Sequence, residues 1–430
     1  MKSSPESIAR SLFASVGFSL TSTVVVFVVL ELVLWGVWSL SSWIHPDPLR
    51  PEASPAYAGA AWVHEFYREQ DPVESRFVYS PFRVSGLVPW QGQYIHNDEH
   101  TEGIWRRTTN PDSSHCREDA VTRIWIFGGS TVYGSGVPDW YTIPSVLSRD
   151  MNPRDVNRDA GNCVVVTNYG VQGYVATQDL ILLVEQLKRG GRPNIVIFYG
   201  GSNDAETGMR AADPWSTYSG IGVIKPRAEG AMRGRFDFVR RFYIVRTLDA
   251  IRQYLLRGNG TSSEPQLRAK AALVLDNYTA NLTVARALGL AYNFKLFAFW
   301  EPMLLYGHKP LVGFEQQINH VDASSKTRVA TKSFIAAYQE AERRAPGEGF
   351  VSLAGVFDSV PDAVYLDEVH LGPRGNEVVA NAIAKYLQDH PAAKVDEGLV
   401  PRSTASRDEP PSAANPPAAP STCAVPPRMR

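Results

Sequence analysis

Five short apolar runs are spaced along the middle of the chain, and each ends at glycine or at polar turn residues. They cover residues 124–128, 163–168, 194–199, 294–300 and 350–353. Because the runs show no polar alternation, they are typical of strands that are buried on both faces. The longer stretches between them repeat apolar positions with the period of a helix. The pattern therefore predicts strands that alternate with helices.

Polar caps and glycines mark the ends of the helices between these runs. The predicted helices begin at Ile143 and at Thr177 and cover residues 277–290 and 376–390. Thr142 is the expected N-cap of the first helix, and Pro144 suits its first turn. Thr177 is the expected cap of the second helix, which stops at Gly190.

This alternation predicts an α/β fold with a parallel sheet that helices cover on both faces. Crossover connections in such a sheet are right-handed. Ligands bind beyond the carboxyl ends of the strands, where the strand order reverses. The loops that follow the strands are therefore where we expect the chemistry.

The longest apolar stretch lies near the N-terminus. Residues 16–40 contain a single charge, Glu31, and would extend about 37 Å as a helix, enough to cross about 30 Å of hydrocarbon. Tryptophans between positions 35 and 43 stand where indole rings favour a membrane interface. A cleaved signal peptide has a shorter apolar core followed by small residues, and residues 41–48 lack such a site. This favours an uncleaved transmembrane anchor at 16–40.

The charges beside this stretch predict its orientation. Lys2 and Arg10 precede it and only Arg50 follows closely, so a bias of one residue leaves the segment 1–15 in the cytoplasm. We therefore expect a single-pass membrane protein whose main domain is extracytoplasmic, periplasmic or extracellular. Glu31 has two interpretations: it has a partner helix or a protonated, hydrogen-bonded form, or it snorkels toward the outer interface.

Composition characterises the whole chain and the two regions on either side of the predicted α/β domain. The 43 basic residues balance the 44 acidic residues, so the whole chain shows no preference for nucleic acid. Residues 41–120 give a Pro/Ala linker and then an irregular lead-in with no clean period. Residues 391–430 are rich in Pro, Ala and Ser, which predicts a disordered tail.

An insertion at about residues 205–290 separates the third and fourth runs. Residues 205–260 contain ten Lys or Arg and five Asp or Glu, and Ile244, Leu248, Ile251 and Leu255 mark one helix face. The functional interpretation is a basic cap that attracts an anionic glycan or lipid headgroups. The simpler interpretation is a solvated outer face on a covering helix.

Glycine-rich loops follow the first three runs. The first reads GGST and contains Ser130, but it lacks the lysine of a phosphate loop and the GxGxxG spacing of a dinucleotide site. Ser130 is therefore a candidate nucleophile raised on a tight turn. The second loop ends in Gly173 and the third contains Asn203. Their amide groups are suitable donors to a tetrahedral oxyanion.

The loop after the last run contains Asp367 and His370, three residues apart. In a turn before a helix this spacing lets the carboxylate reach the ring Nδ1, fix the tautomer and stabilise the imidazolium. His96 and His100 invite a metal interpretation, but they lack the HExxH order. We therefore predict neither a metal nor another cofactor.

The four blocks GGST, NYGVQGY, GGSND and DEVH resemble the SGNH (GDSL-type) hydrolase superfamily in order and spacing, over about residues 121–390. The resemblance implies a three-layer α/β/α fold with five parallel strands in the order 2-1-3-4-5. It also implies that Ser130 is the nucleophile, that His370 is the base and that Asp367 orients it. Gly173 and Asn203 would complete the oxyanion hole with the Ser130 amide.

One departure from that pattern is visible in the first block. Gly129 and Thr131 stand where a GDSL sequence has Asp and Leu. Membrane-anchored branches of the superfamily often look this way. The departure therefore bears on the substrate class more than on catalysis.

These residues lead to three functional hypotheses. The first is a membrane-tethered serine esterase that acts on acyl esters of a cell-envelope carbohydrate or lipid. The second is an O-acyltransferase with the same Ser-His-Asp site. The third is a catalytically silent glycan-binding or assembly protein, against which the retained Ser130, Asp367 and His370 argue.

The three cysteines allow one structural prediction. Cys116 and Cys163 each precede a strand, and these two strands should be neighbours. If the domain is exported, the pair can form a disulfide at the amino edge of the sheet. The alternative is two buried thiols. Cys423 lies in the tail.

Overall fold

The structure is a computed structural model. It describes residues 5–44, 49–70, 77–112, 116, 120–152, 163–211, 213–215, 242–256, 263–323, 327–345, 347 and 349–391. The predicted tail with Cys423 and much of the predicted insertion lie outside the described residues.

The described part of the chain contains ten strands and eleven α-helices. The strands are β1 Phe77–Ser80, β2 Val84–Leu87, β3 Trp90–Gln91, β4 His96–His100, β5 Gly103–Arg106, β6 Val121–Gly128, β7 Cys163–Gly170, β8 Ile195–Gly200, β9 Lys295–Trp300 and β10 Phe350–Ser352. The helices are α1 Pro5–Ile44, α2 Val63–Gln70, α3 Ser130–Tyr133, α4 Ile143–Met151, α5 Ala176–Lys188, α6 Ser202–Arg210, α7 Tyr243–Leu256, α8 Glu264–Tyr292, α9 Gly313–Ala323, α10 Thr327–Arg344 and α11 Pro373–Asp389.

The main sheet confirms the predicted fold class. Its eight strands run in the order β10-β9-β8-β6-β7-β5-β4-β3. The five strands from β10 to β7 are parallel, and their order is the expected 2-1-3-4-5. The strand order reverses at β6, which lies between β7 and β8. The carboxyl end of β6 is therefore the switch point where a parallel sheet binds its ligands.

Helices cover both faces of this sheet, as predicted. Along β6, Trp125 and Phe127 enter one apolar core with side chains of α5, α8 and α10. Ile124 and Ile126 enter a second core with side chains of α4 and α11. Because successive side chains of a strand point to opposite faces, one strand contributes to both cores. The result is three layers, α/β/α.

The caps of the first two crossover helices differ from each other. The prediction at Thr142 is confirmed, since its side chain accepts the Ser145 N–H at the start of α4. The prediction at Thr177 is wrong: α5 begins one residue earlier, and Val175 is its N-cap. A side chain from another loop caps this helix instead: the Asp204 carboxylate accepts the Ala176 N–H, which has no acceptor within the helix.

The expectation of an irregular lead-in is also wrong. β3, β4 and β5 pair in antiparallel order and join the edge of β7, where Arg106 stands opposite Asn168. β1 and β2 form a separate hairpin. The pattern of apolar positions did not predict these strands, because β4 reads HNDEH and has no apolar period. Its pairing with neighbouring strands, rather than an apolar face, determines its structure.

Two further predictions concern the chain outside the layers. Cys116 and Cys163 form a disulfide with a Cα–Cα distance of 6.1 Å, at the amino end of β7 as expected. Helix α1 contains an apolar segment, Ser19–Leu40, that is long enough to cross a membrane. By length and composition the same segment also fits a signal sequence.

Candidate active site

Ser130 lies on a sharp turn at the switch point. β6 ends at Gly128, and Ser130 is the first residue of α3, so a single residue separates strand from helix. Gly128 has a φ of 159°, and a Cβ there would collide with the carbonyl oxygen of Tyr199 on the neighbouring strand. Only glycine fits this approach, which holds the serine at the edge of the sheet.

The structure brings Ser130, His370 and Asp367 together. The His370 Nε2 lies 2.7 Å from the Ser130 Oγ, although the two residues are 240 positions apart in the chain. The His370 Nδ1 lies 2.6 Å from the Asp367 Oδ2. The three side chains thus form one hydrogen-bonded chain from hydroxyl to carboxylate.

The loop between Asp367 and His370 is held by its own backbone. The Asp367 Oδ1 accepts the N–H groups of Val369 and His370 at 2.9 and 2.7 Å. The His370 carbonyl accepts the Leu366 N–H, and Pro373 then starts α11 with the fixed φ that a first helical turn needs. The three-residue spacing therefore gives a closed turn in which the carboxylate faces the ring.

Burial and charge act in opposite directions on this pair. Burial alone would raise the pKa of Asp367, but the His370 ring and the two N–H groups outweigh it and lower that pKa to about 2. Burial would likewise lower the pKa of His370, but the Asp367 carboxylate outweighs it and raises that pKa above 6.5. The pair therefore favours an ionised carboxylate and a ring that readily accepts a proton.

The two other predicted site residues lie beside the serine. Gly173 has a φ of 77° and lines the same cavity as Ser130 and His370. Asn203 lies against Gly129, and its Nδ2 donates to the Tyr174 carbonyl at 3.0 Å. The amide nitrogen carries a second hydrogen. The role of Gly173 and Asn203 as oxyanion donors stays a prediction.

The serine opens into a cavity of about 370 Å³. Its lining residues are Pro51, Tyr67, Gln70, Ser130, Ser135, Gly136, Gln172, Gly173, Leu366, Asp367 and His370. Three of them, Pro51, Tyr67 and Gln70, come from the lead-in, which the sequence analysis did not connect with the site. No motif marks them, and only the fold places them here.

Hydrogen bonds fix this lead-in wall to the serine loop. The Gln70 Oε1 accepts the Gly136 N–H at 3.0 Å, and the Tyr57 hydroxyl donates to the Gly136 carbonyl at 2.5 Å. The hydroxyls of Tyr57 and Tyr67 lie 2.9 Å apart. The wall is thus continuous with the loop that carries Ser130.

A buried carboxylate, Glu301, connects the glycine-rich loop that contains Ser130 with the one that contains Asn203. It follows β9 directly and is only 2% exposed. The Thr131 hydroxyl donates to its Oε2 at 2.7 Å, and the Ser202 backbone N–H donates to its Oε1 at 2.9 Å. The Ser202 hydroxyl also donates to Glu301. Glu301 therefore links the residue after Ser130 to the residue before Asn203.

A second carboxylate, the half-buried Asp204, connects the Gly173 and Asn203 loops. Asp204 accepts the Ala176 N–H at 3.1 and 3.3 Å through its two oxygens. Burial raises the pKa of Asp204 to about 7. No sequence motif assigned a role to Glu301 or Asp204, although each follows a strand at the same edge as Ser130.

A buried arginine supports the far side of the serine loop. The Arg106 guanidinium donates to the carbonyl groups of Tyr133, Gly134 and Val137 at 2.9–3.2 Å. Its Nε donates to the Asp139 Oδ1 at 2.8 Å. These carbonyls lie three to seven positions after Ser130, so Arg106, which belongs to β5, holds the chain that follows the serine.

The two histidines of β4 have different partners. The His96 Nδ1 lies 2.6 Å from the Asp139 Oδ2, and the His100 ring stacks on Trp105 with centroids 4.0 Å apart. Among the described residues, no three or more His, Cys, Asp or Glu side chains group closely enough to hold a metal ion.

No protein-family model and no curated protein match the chain. It is similar to the structure of LAE5, an alpha/beta hydrolase from the metagenome of Lake Arreo, Spain, at 14% identity and a TM-score of 0.30, covering 61% of this chain and 94% of that chain. It is also similar to the acetylxylan esterase Axe2 from Geobacillus stearothermophilus, at 13% identity and a TM-score of 0.32, covering 64% and 97%.

A third similar structure is a member of the lipolytic G-D-S-L family from Veillonella parvula. It has 12% identity and a TM-score of 0.32, with 62% of this chain and 98% of that chain covered. Likenesses of this size do not define an activity for this chain.

Proposed function

We propose that the chain is a serine ester hydrolase that acts through an acyl-enzyme. The observation that carries the proposal is the hydrogen-bonded chain of Ser130, His370 and Asp367 on the wall of a cavity. A nucleophile within hydrogen-bond reach of a base, which a third group orients, is the arrangement that activates a hydroxyl for acyl transfer.

The proposed reaction starts at the serine. The Ser130 Oγ attacks the ester carbonyl carbon while the His370 Nε2 takes the hydroxyl proton. Asp367 stabilises the resulting imidazolium and keeps Nδ1 protonated. The imidazolium then gives its proton to the departing alkoxide, which leaves an acyl-serine. Water, deprotonated by His370, attacks that acyl group and releases the carboxylic acid and free Ser130.

The oxyanion of each tetrahedral intermediate needs donors that are already in place. The Ser130 backbone N–H, the Gly173 N–H and the Asn203 side-chain amide are the proposed donors. Glu301 and Asp204 support them, because these carboxylates connect the three loops that carry the donors. Loss of one donor typically lowers turnover by about 10²–10³.

The proposed substrate is an acyl ester of a cell-envelope carbohydrate or lipid, reached from an extracytoplasmic position. The Cys116–Cys163 disulfide supports that location, since disulfides persist in oxidising compartments. The apolar helix α1 supports membrane attachment. Pro51 in the cavity wall follows the apolar segment by only eleven positions, so an attached enzyme would meet its substrate near the membrane.

A fluorophosphonate probe and an acetyl ester test this proposal on the full chain in detergent. We expect the probe to label the chain and the ester to be hydrolysed, and Ser130→Ala to abolish labelling and to lower turnover by at least about 10⁴. Ser80→Ala, in the β1–β2 hairpin, is the matched control and should keep both activities.

Three other outcomes would contradict the proposal. Labelling at Ser130 without hydrolysis in water would favour the O-acyltransferase alternative. No labelling of a folded chain would favour the silent glycan-binding or assembly alternative. Full activity in Ser130→Ala would mean that another residue is the nucleophile.

A further inference from the structure

Glu31, the one charged residue in the apolar segment of α1, contacts a second helix. Its Oε2 accepts the Tyr243 N–H and its Oε1 accepts the Ile244 N–H, both at 2.8 Å. Both N–H groups belong to the first turn of α7. In a first helical turn the helix itself supplies no carbonyl acceptors for such groups. The carboxylate of α1 therefore caps the N-terminus of α7.

Further contacts show that the two helices run side by side in the same direction. The rings of Phe27 and Phe242 meet edge to face with centroids 5.2 Å apart. The Trp38 Nε1 donates to the Thr247 Oγ1 at 3.2 Å. As the chain advances along α1 from 27 through 31 to 38, the contacted residue advances along α7 from 242 to 247.

This arrangement places the start of α7 at the depth of Glu31. Glu31 precedes Leu40, the end of the apolar segment, by about 13 Å along the helix axis. A helix that begins at this depth in hydrocarbon has unpaired N–H groups that cost several kcal/mol each unless they find an acceptor. Glu31 supplies two acceptor oxygens for these N–H groups.

The outward face of α7 continues the apolar surface of α1. Leu248 is 60% exposed and Ile251 is 48% exposed in the chain alone. Leu248 lies about 7 Å beyond Tyr243 along α7, still below the level of Leu40. Arg246 is exposed one turn above the helix start, and its guanidinium lies over the Tyr243 ring, 5.3 Å from the ring centroid.

We infer that the first turns of α7 form a second membrane-embedded element, docked on the α1 anchor through Glu31, and that lipid acyl chains cover Leu248. The continuity of this face with the apolar segment identifies the bilayer as its occupant. The inference explains why a carboxylate stands inside an otherwise uncharged segment: it is the partner of a helix that starts within the bilayer.

Cysteine accessibility in nanodiscs that hold one chain each tests the lipid cover. In a Cys423→Ser background, whose two other cysteines form the disulfide, Leu248→Cys is compared with Leu290→Cys on α8. Leu290 is 82% exposed, so both sites are open in the chain alone. We expect a water-soluble maleimide to label Leu290→Cys at least about tenfold faster. Equal rates would overturn the inference.

Brominated lipids then show whether lipid or protein covers Leu248. A bimane attached at Leu248→Cys should lose fluorescence in nanodiscs with brominated acyl chains, and a bimane at Leu290→Cys should not. Because each disc holds one chain, a second copy cannot protect the site. Slow labelling without quenching would mean that protein covers Leu248, which would also overturn the inference.

Substitution of Glu31 tests the docking contact. In the Leu248→Cys chain, Glu31→Leu removes both acceptors, and we expect labelling to become several-fold faster. Glu31→Gln keeps one acceptor oxygen and should have a smaller effect. An unchanged near-ultraviolet circular dichroism spectrum controls for folding. Unchanged labelling in Glu31→Leu would rule out Glu31 as the contact that holds α7.

Discussion

The residues of the site differ in how far the sequence reveals them. Ser130, Asp367 and His370 could be proposed because each follows an apolar run and so lies at one edge of a parallel sheet. Glu301 could not, since its partners Thr131 and Ser202 are 170 and 99 positions away. A local motif cannot record such contacts, which the fold alone creates.

The raised pKa of His370 predicts the pH dependence of hydrolysis. The ring must be neutral to take the Ser130 proton, so kcat/KM should rise with pH through a midpoint above 6.5 and then level off. Asp367→Asn removes the carboxylate that raises this pKa. It should move the midpoint down and lower the plateau by about 10²–10⁴.

Asp362→Asn is the matched control for this measurement. Asp362 is exposed on the way into the same loop, and the substitution makes the same chemical change. Its pH–rate profile should follow that of the native chain. An unshifted midpoint in Asp367→Asn would show that the carboxylate does not act through His370.

Glu301 should act as a positioning residue. Glu301→Gln and Thr131→Val each weaken the link between the Ser130 and Asn203 loops, so we expect kcat to fall about tenfold, a change of about 1.4 kcal/mol, with KM nearly unchanged. The Glu301 carboxylate also contributes to the raised pKa of His370, so Glu301→Gln should move the pH midpoint down.

Thr131→Ser keeps the hydroxyl that donates to Glu301 and should keep kcat. The measurement is steady-state hydrolysis of an acetyl ester, with the thermal midpoint recorded for each variant. A folded Thr131→Val enzyme with native kcat would argue against the positioning role.

At the scale of elements, local signals predicted some boundaries and missed others. α4 starts where its own Thr142 caps it, so the sequence was sufficient there. α5 starts at Ala176, whose N–H donates to Asp204 from another loop, so the local signal at Thr177 predicted the wrong N-cap. β4 and β5 went unrecognised because β4 reads HNDEH and β5 has only four residues, so neither strand shows an apolar period.

The strand extension should contribute to stability through Arg106. Its guanidinium is fully buried, so Arg106→Met leaves Asp139 without its arginine partner and removes the donor that Arg106 supplies to the Tyr133 and Val137 carbonyls. We expect a loss of about 3–5 kcal/mol in the free energy of unfolding, measured by urea titration.

The neighbouring Arg107 provides the control for this substitution. It pairs with Asp98 near the surface and its side chain is 42% exposed. Arg107→Met should cost at most about 1 kcal/mol. Similar losses in the two variants would show that burial of the Arg106 network is not what stabilises the extension.

For the whole molecule, the disulfide joins the lead-in to the sheet. It spans a sequence separation of 47 residues. Replacing both Cys116 and Cys163 by Ser should lower the free energy of unfolding by about 2–4 kcal/mol, because the unfolded chain regains the freedom of that loop. Dithiothreitol should destabilise the native chain by a similar amount and leave the double variant unchanged.

The general architecture followed from the order of strands and helices, whereas the contacts between the lead-in and the site did not. The sequence predicted only an irregular lead-in. In the structure the lead-in supplies the strands β3 to β5 that extend the sheet, the Arg106 support and the wall residues Pro51, Tyr67 and Gln70. Nothing local marks these roles, since each depends on a residue more than 20 positions away.

For an enzyme attached to the membrane as proposed, the short distance in sequence between Leu40 and Pro51 limits where it can work. With α1 helical to Ile44 and at most about 3.5 Å for each later residue, the cavity wall lies within about 30 Å of the end of the apolar segment. For an enzyme held in this way, turnover would depend on the number of ester groups per unit area of membrane rather than on their concentration in bulk solution. Dilution of the medium around intact membranes would then leave the rate unchanged.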